Sequence, residues 1–470
     1  MARVVAGAVR GPADGLVSGV AVDSRAVERG DAFFAIRGDR SDGHAYVGDA
    51  LARGATAAVI RQGWTGAVDL PLIEVEDPGR ALLDLAADAR GDLAAIVIGI
   101  TGSTGKTCTK DLTASVLSQR FRVVASRASF NNEVGLPLTL LQAGSETEAV
   151  VCEMGSRGRG HIEVLSRVAR PDVGVVTNVG VAHMELFGSP DILRDAKAEL
   201  PESLPEDGVA VLNADDPVVR SFAGRTRAGR IVMFGNAPES QVRADAVDIG
   251  RGSGLAEFDL VTPEGSVRVR LPVPGAHMVS DALAAAAVGW ATGVSLEATA
   301  RGLAGAPISG GRMEETEAGD IRIVNDAYNA NPASMAAALR AARWMAGDAR
   351  CIAVLGYMAE LGPIAADEHE QVGALAAELG VDVLMVVGEE ARAIASGARR
   401  AGMDNDRIRL YEDITHAVES VQEMARPGDL VLVKASRVAR LERIVDALLR
   451  RSGSADPQSA PEPQVRGAAP

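Results

Sequence analysis

Short β-branched apolar runs that alternate with helical stretches constrain this chain more than any other feature. They fall at Ala95–Ile100, Ala149–Cys152, Val173–Thr177 and Val209–Leu212. Apolar runs of this length suit strands buried on both faces, and strands separated by helices pair in parallel. The pattern predicts an α/β fold whose central sheet is mostly parallel, with helices on both faces. It returns at Ile321–Val324, Cys351–Leu355, Val383–Val387 and Leu430–Val433, with helical stretches at Ser334–Ala346 and His369–Leu379. A second, Rossmann-like sheet is expected there. The first 90 residues are different: a strand at Ala32–Ile36 after the Gly30-Asp31 turn, and helical periodicity at Val47–Arg53 and Arg80–Arg90. That reads as a small N-terminal α/β domain. Residues Arg230–Leu271 are more purely strand-like, closed by Pro272, Pro274 and Gly275 before an Ala-rich helix, Ser280–Trp290. The 470 residues fit about three domains, with expected bounds 1–91, 92–309 and 310–451. Residues 452–470, rich in Ser, Ala and Pro, cannot bury a core and are expected to be a disordered tail.

Charge and cysteine use narrow the function. Lys plus Arg number 48 and Asp plus Glu 63, a formal net charge of −15. That balance argues against a nucleic-acid or anionic-membrane binder, while leaving room for a local basic phosphate pocket. Cys108, Cys152 and Cys351 are far apart and without metal-ligand spacing, so neither a disulfide framework nor a structural zinc site is expected. A reducing, cytoplasmic compartment fits. The N-terminal apolar stretch is too short for a signal peptide, and no run approaches the roughly 20 residues of a membrane-spanning helix.

The sharpest motif is Gly102-Ser103-Thr104-Gly105-Lys106-Thr107, placed between the strand Ile96–Ile100 and a helix, Thr109–Leu117. Backbone N–H groups at a helix start, with the positive helix end behind them, hold phosphate oxygens. Lys106 would neutralise the β- and γ-phosphates, and the Thr107 hydroxyl would ligate Mg²⁺. The longer P-loop spacing would need glycine at position 100, which is Ile100, so this is a shorter GxxGKT loop. Glu153 ends a neighbouring strand, where it reads as a further Mg²⁺ ligand or as a surface carboxylate. His183 lies past the next strand's C-terminal end, the edge where open α/β sheets bind ligands, or it is a solvated loop histidine. Lys197 shares a helical face with Leu193 and Leu200. A desolvated, neutral lysine amine can take up CO₂ as a carbamate, an anionic oxygen donor; a snorkelling lysine is the plainer alternative.

Together these segments resemble the Mur ligase family, ATP-dependent amino-acid ligases of peptidoglycan precursor synthesis. The resemblance runs from about Asp23 to Leu449. It is carried by Asp23-Ser24-Arg25, Phe33–Gly38 with Asp42-Gly43-His44, Thr101–Thr107, Asn131–Pro137, Glu153-Met154-Gly155, Thr177-Asn178-Val179 with Ala182-His183, and Ala196–Glu199. Gly310–Glu314, Asn325–Pro332 and Val433–Arg437 complete it. The resemblance implies three domains, holding in turn a UDP-sugar-peptide, ATP and the incoming dipeptide. It implies that Lys106, Lys197 and His183 serve catalysis, and that Thr107, Glu153, His183 and a carbamylated Lys197 hold Mg²⁺. Asn132, Asp281, Arg312, Asp326, Tyr328, Asn329 and Asn331 would lie at the nucleotide. Ser24 and Arg25 would lie near the uridine end, and Lys434 and Ser436 at the acceptor. The Asn325–Pro332 run points to members that add D-alanyl-D-alanine to UDP-N-acetylmuramoyl-tripeptide through an acyl phosphate. No nucleic-acid partner, no membrane insertion and a monomer are expected.

Two positions depart from the family pattern. Asp281 stands where an adenine-contacting amide is usual, which removes one of a donor/acceptor pair. Tyr357 stands in Gly356-Tyr357-Met358-Ala359-Glu360-Leu361-Gly362 where Asp is usual. The alternatives are a P-loop switch or motor ATPase, a folylpolyglutamate-type ligase, and another Mur-type ligase. The first leaves the Lys197 segment unexplained. The second lacks a counterpart for Asp23-Ser24-Arg25, and the third would carry an Asp-Asn-Pro-Arg motif absent here.

Overall fold

The computed structural model describes residues 1–11, 16–38, 41–66, 68, 71–180, 184–451 and 466–468. Its central sheet is all parallel, in the order Arg230–Phe234, Val209–Asn213, Val173–Val176, Ile96–Thr101, Ala149–Glu153, Val123–Ala125. The strand that feeds the phosphate loop, Ile96–Thr101, therefore lies inside the sheet, with Ala149–Glu153 on one side and Val173–Val176 on the other. Its side chains from Val97 to Thr101 are buried, as expected of a strand covered on both faces. Register places Ile100 opposite Glu153 and Thr101 opposite Val176, so three strand ends converge on one edge.

Two glycines shape the face that receives Lys197. Gly99 and Gly174 are register partners. A Cβ on Gly99 would stand 3.1 Å from Leu200, and one on Gly174 would stand 3.2 Å from Leu200 and 3.1 Å from Leu204. The sheet is thus shaved where the helix Pro190–Glu202 crosses it, letting backbone and helix approach closely. That helix starts where the sequence places it, with the Ser189 side chain accepting from Ile192 N–H and Pro190 in the first turn. Its buried residues Leu193, Ala196, Lys197 and Leu200 form the inward stripe.

The strand-like stretch after Arg230 includes an antiparallel three-stranded sheet, Arg243–Ile249, Leu255–Thr262 and Gly265–Pro274. The helix Met278–Ala291 packs beside it, with eleven of its residues buried. The third sheet has the order Glu314–Ala318, Ile321–Asn325, Leu430–Lys434, Cys351–Gly356, Val383–Val387, Ile408–Tyr411, parallel except for its first pair. The N-terminal sheet runs Ala8–Arg10, Leu72–Val75, Ala57–Arg61, Asp31–Phe34, Gly19–Ala21, and ends on Arg466–Ala468, which pairs antiparallel with Gly19–Ala21. Apart from that strand, the segment expected as a tail lies outside the described residues. Backbone pairing over three residues needs no buried side chains, so a composition unable to form a core does not exclude it.

Central and C-terminal units are joined at several points. At the boundary itself, Asp111 Oδ2 accepts from the N–H of Ser309, the last residue before the C-terminal unit, at 2.9 Å. Arg322 Nη2 donates to Gly252 O at 2.7 Å, and Glu185 N–H donates to Glu360 O at 3.1 Å.

Candidate functional site

The phosphate loop folds as its glycines dictate. Gly105 has φ +78° and precedes the helix Lys106–Leu117 as its N-terminal cap. Gly102 has φ +152°, and a Cβ there would lie 1.9 Å from Thr177 Oγ1. Only glycine fits either position. The loop is laced to the end of the neighbouring strand: Ser103 N–H donates to Asn178 O (2.9 Å), Thr104 N–H to Asn178 Oδ1 (3.0 Å), and Thr177 Oγ1–H to Thr104 O (2.6 Å). Ser103 Oγ accepts from Gly180 N–H at 2.9 Å. Thr177 and Asn178 thus preform the loop, a role their side chains do not announce locally.

Lys106 is half-buried and its ammonium folds back onto the carbonyls of Gly102 (2.8 Å) and Ser103 (3.2 Å). Burial holds its pKa below the usual lysine value, Glu153 opposes that, and Arg312 adds to it. Thr107 donates to Glu153 Oε2 at 2.7 Å and accepts from Arg312 Nη2 at 3.1 Å. Glu153, 1% exposed, takes a second bond at Oε1 from Asn131 Nδ2 (2.7 Å). Arg312 lies over the Tyr328 ring at 3.9 Å, with Arg437 at 5.5 Å from the same ring. The Tyr328 hydroxyl pairs with Ser129 Oγ.

Lys197 is 2% exposed, and its ammonium donates to Ser156 Oγ at 2.8 Å. Burial drives its pKa well below the usual lysine value; repulsion from Lys106 adds to this and Glu199 opposes it. Such an amine loses its proton readily and becomes a nucleophile. Glu199, two residues on, accepts from the Gly160 and Glu163 N–H groups at the start of helix His161–Ala169. His183 lies outside the described residues. Among the described residues no three His, Cys, Asp or Glu side chains gather as a metal cluster.

Asp281 Oδ1 accepts from Thr109 Oγ1 at 3.2 Å, and the carboxyl packs on Gly105, where a Cβ would come within 2.3 Å of Oδ1. Burial pushes its pKa up to about 7. In the third unit Lys434, 2% exposed, pairs with Asp326 Oδ2 at 2.6 Å and donates to Asn329 O at 2.9 Å. Asp326 Oδ1 accepts from Met313 N–H, which steadies the backbone next to Arg312. Ser436 Oγ accepts from Ala359 N–H and donates to Ala330 O. Asn331 caps the helix Pro332–Ala346, exchanging bonds with Ser334. Asn132 Oδ1 accepts from the N–H groups of Val134 and Gly135. Tyr357 stacks on His369, ring centroids 5.5 Å apart. Ser24 is buried in the N-terminal unit, and Arg25 is exposed and bonded to Asp23.

The structure therefore brings together Gly102, Ser103, Thr104, Gly105, Lys106, Thr107, Glu153, Asp281, Arg312 and Tyr328. Asn131, Ser129, Thr177 and Asn178 join them as supports, and Ser156 holds Lys197; sequence reasoning did not single these out as site residues. The arrangement fits a magnesium nucleotide. Its glycine cradle exposes backbone donors at a helix start, the paired Thr107 and Glu153 oxygens are hard donors, and Arg312 Nη1 is buried with no hydrogen-bond partner among the described residues.

Comparison with known proteins gives the class. Residues 16–90 match the Mur ligase family catalytic domain, 100–289 the Mur ligase middle domain, and 311–437 the Mur ligase glutamate ligase domain. The chain belongs to the Mur ligase family. Within that family it is 39% identical to the UDP-N-acetylmuramoyl-tripeptide–D-alanyl-D-alanine ligase of Mycobacterium tuberculosis H37Rv, over 96% of each chain. Its fold is similar to MurF from Acinetobacter baumannii, with TM-score 0.84, 30% identity and coverage of 95% of this chain and 97% of that one. It is also similar to MurF ligase from Thermotoga maritima in complex with ADP, with TM-score 0.80, 28% identity and coverage of 94% and 99%.

Proposed function

We propose that this chain is an ADP-forming ligase that joins D-alanyl-D-alanine to UDP-N-acetylmuramoyl-tripeptide, in peptidoglycan precursor synthesis. The observation that carries the reading is Lys197, a buried, depressed-pKa amine that shares the field of Lys106. A switch or motor has no use for such an amine, whereas a carbamate there would supply anionic oxygens for a metal. Carbamylation balances simply: the neutral amine adds to CO₂ and releases one proton. The full-length likeness to tripeptide–D-alanyl-D-alanine ligases supports the choice of substrates.

In this reading residues 1–91 hold the UDP-sugar-peptide through Ser24 and Arg25, residues 92–309 hold ATP, and residues 310–451 hold the dipeptide near Lys434 and Ser436. Thr107, Glu153, His183 and carbamylated Lys197 would hold Mg²⁺, which when bound neutralises phosphate charge. Asn132, Asp281, Arg312, Asp326, Tyr328, Asn329 and Asn331 would surround the nucleotide. The tripeptide carboxylate attacks the γ-phosphorus, and ADP leaves. The dipeptide amine then attacks the acyl carbon, phosphate leaves, and the amine proton passes to a base.

The chain's own part in the first step is electrostatic. Lys106 must swing from the Gly102 and Ser103 carbonyls to the phosphates, where it and Arg312 screen the repulsion between two anions. Closure of the third unit, with Tyr328 and Arg312 at its edge, would keep water from the acyl phosphate. No described helix is long and apolar enough to cross a membrane, and the three free cysteines suit a reducing, cytoplasmic setting. The test is phosphate release from ATP with UDP-N-acetylmuramoyl-tripeptide, with and without D-alanyl-D-alanine. Release that needs both, with a UDP product heavier by the dipeptide less water, is expected. Release indifferent to the dipeptide would replace the ligase by a switch or motor.

A further inference from the structure

Lys110 is a charged side chain that the reaction above does not use. It follows Thr107 by three residues and Lys106 by four on the helix Lys106–Leu117, so it stands on the same face one turn further on. It is 2% exposed. Its ammonium donates to Ser126 O (2.8 Å) and Ala128 O (3.1 Å) and pairs with Asp111 Oδ1 (2.6 Å). Three acceptors meet its three N–H donors, the condition under which a buried cation is tolerated.

Both carbonyls belong to the crossover between strand Val123–Ala125 and helix Gly135–Leu140. Ala128 within it has φ +47°, a left-handed conformation that a non-glycine residue keeps only when held from outside. The same crossover reaches the site at three points. Ser126 Oγ accepts from Glu153 N–H (3.2 Å), Asn131 Nδ2 donates to Glu153 Oε1 (2.7 Å), and Ser129 Oγ meets the hydroxyl of Tyr328, the ring beneath Arg312.

We propose that Lys110 is a positioning residue: by fixing the 126–131 crossover it aims the Glu153 carboxylate at Thr107 and seats the Tyr328–Arg312 pair at the phosphates. The proposal rests on reading Thr107 and Glu153 as Mg²⁺ ligands of a nucleotide site. A lysine that only filled space would lower stability and leave the metal response alone.

The test uses the full chain as wild type, Lys110→Met, Lys110→Arg and Glu153→Gln. Lys110→Arg keeps the buried charge should Lys110→Met fail to fold, but its planar fork cannot meet three acceptors grouped around one ammonium. The first readout is hydrogen–deuterium exchange of the 126–131 amides in ligand-free protein. The second is the tightening of ADP binding on adding Mg²⁺ in place of EDTA. Exchange is expected to quicken at 126–131 in both Lys110 variants. The Mg²⁺-dependent tightening is expected to shrink by about 10-fold or more in Lys110→Met, the range for removing a support of a metal ligand. It should approach that of Glu153→Gln, with Lys110→Arg in between. Unchanged tightening in both Lys110 variants, against a wild type that responds to Mg²⁺, overturns the role of Lys110 alone. A wild type whose ADP affinity ignores Mg²⁺ overturns the metal reading and this proposal with it.

Discussion

Asp281→Asn separates the cost of a buried carboxylate from every other feature of the helix Met278–Ala291. The side chain is 7% exposed, packed on Gly105, with one hydrogen bond from Thr109. Burial raises its pKa from 3.8 to about 7. At about 1.36 kcal/mol per pH unit, that displacement corresponds to at most about 4 kcal/mol. The sign follows from proton counting. Between pH 3.8 and about 7 the folded chain holds a proton that the unfolded chain has released. Stability from this group is therefore lost as pH rises through that window, and the loss is complete above it. Asparagine has the same shape and no such loss. The stability gap between Asp281→Asn and wild type should widen by about 2.5 kcal/mol from pH 5 to pH 8, or roughly 5–10 °C in melting temperature for a unit of this size. Differential scanning calorimetry of both proteins at the two pH values measures it. A gap equal at pH 5 and pH 8 would refute the reasoning, because an ionised Asp281 would then be no worse solvated in the fold than out of it.

Three further outcomes are expected. Gly105→Ala puts a Cβ at φ +78° and 2.3 Å from Asp281 Oδ1; ADP affinity measured by titration calorimetry should fall about 10-fold or more, and an unchanged affinity would mean the loop does not cradle phosphate. Lys434→Met leaves Asp326 buried without its 2.6 Å partner and should cost about 3–5 kcal/mol in chemical denaturation of the full chain. Asp326→Asn combined with it should recover most of that, whereas additive losses would show the pair uncoupled. With ¹³C-labelled bicarbonate, wild type should show a carbamate resonance that Lys197→Ala lacks, and short carboxylic acids should restore activity to Lys197→Ala; no resonance in the wild type would remove the carbamate.

The sheets were legible because their strands are buried on both faces, which forces continuous apolar runs. The expected strands Ala149–Cys152 and Cys351–Leu355 differ from the observed Ala149–Glu153 and Cys351–Gly356 by one residue at the end. The strand–turn–helix geometry at 102–107 was legible because its signal is local: two glycines in one turn, each at positive φ, before the helix Lys106–Leu117. Lys197 could be placed on an apolar face, but its partner Ser156 lies 41 residues away, on no shared period. Lys110 escaped for the same reason, and Asn131 and Asn178, quoted within segments that carry the resemblance, were given no role of their own, since each acts through a contact between elements that only the folded topology creates. Gly99 and Gly174 carried a readable hint, as glycines inside strands often mark a close approach. Only their pairing in register shows that both make room for one helix.

The bond from Ser309 N–H to Asp111 ties the threshold of the third unit to the helix that begins at the phosphate loop. The Arg322–Gly252 and Glu185–Glu360 bonds fasten the same unit elsewhere, so any movement of it against the central sheet must break these bonds or carry their partner segments along.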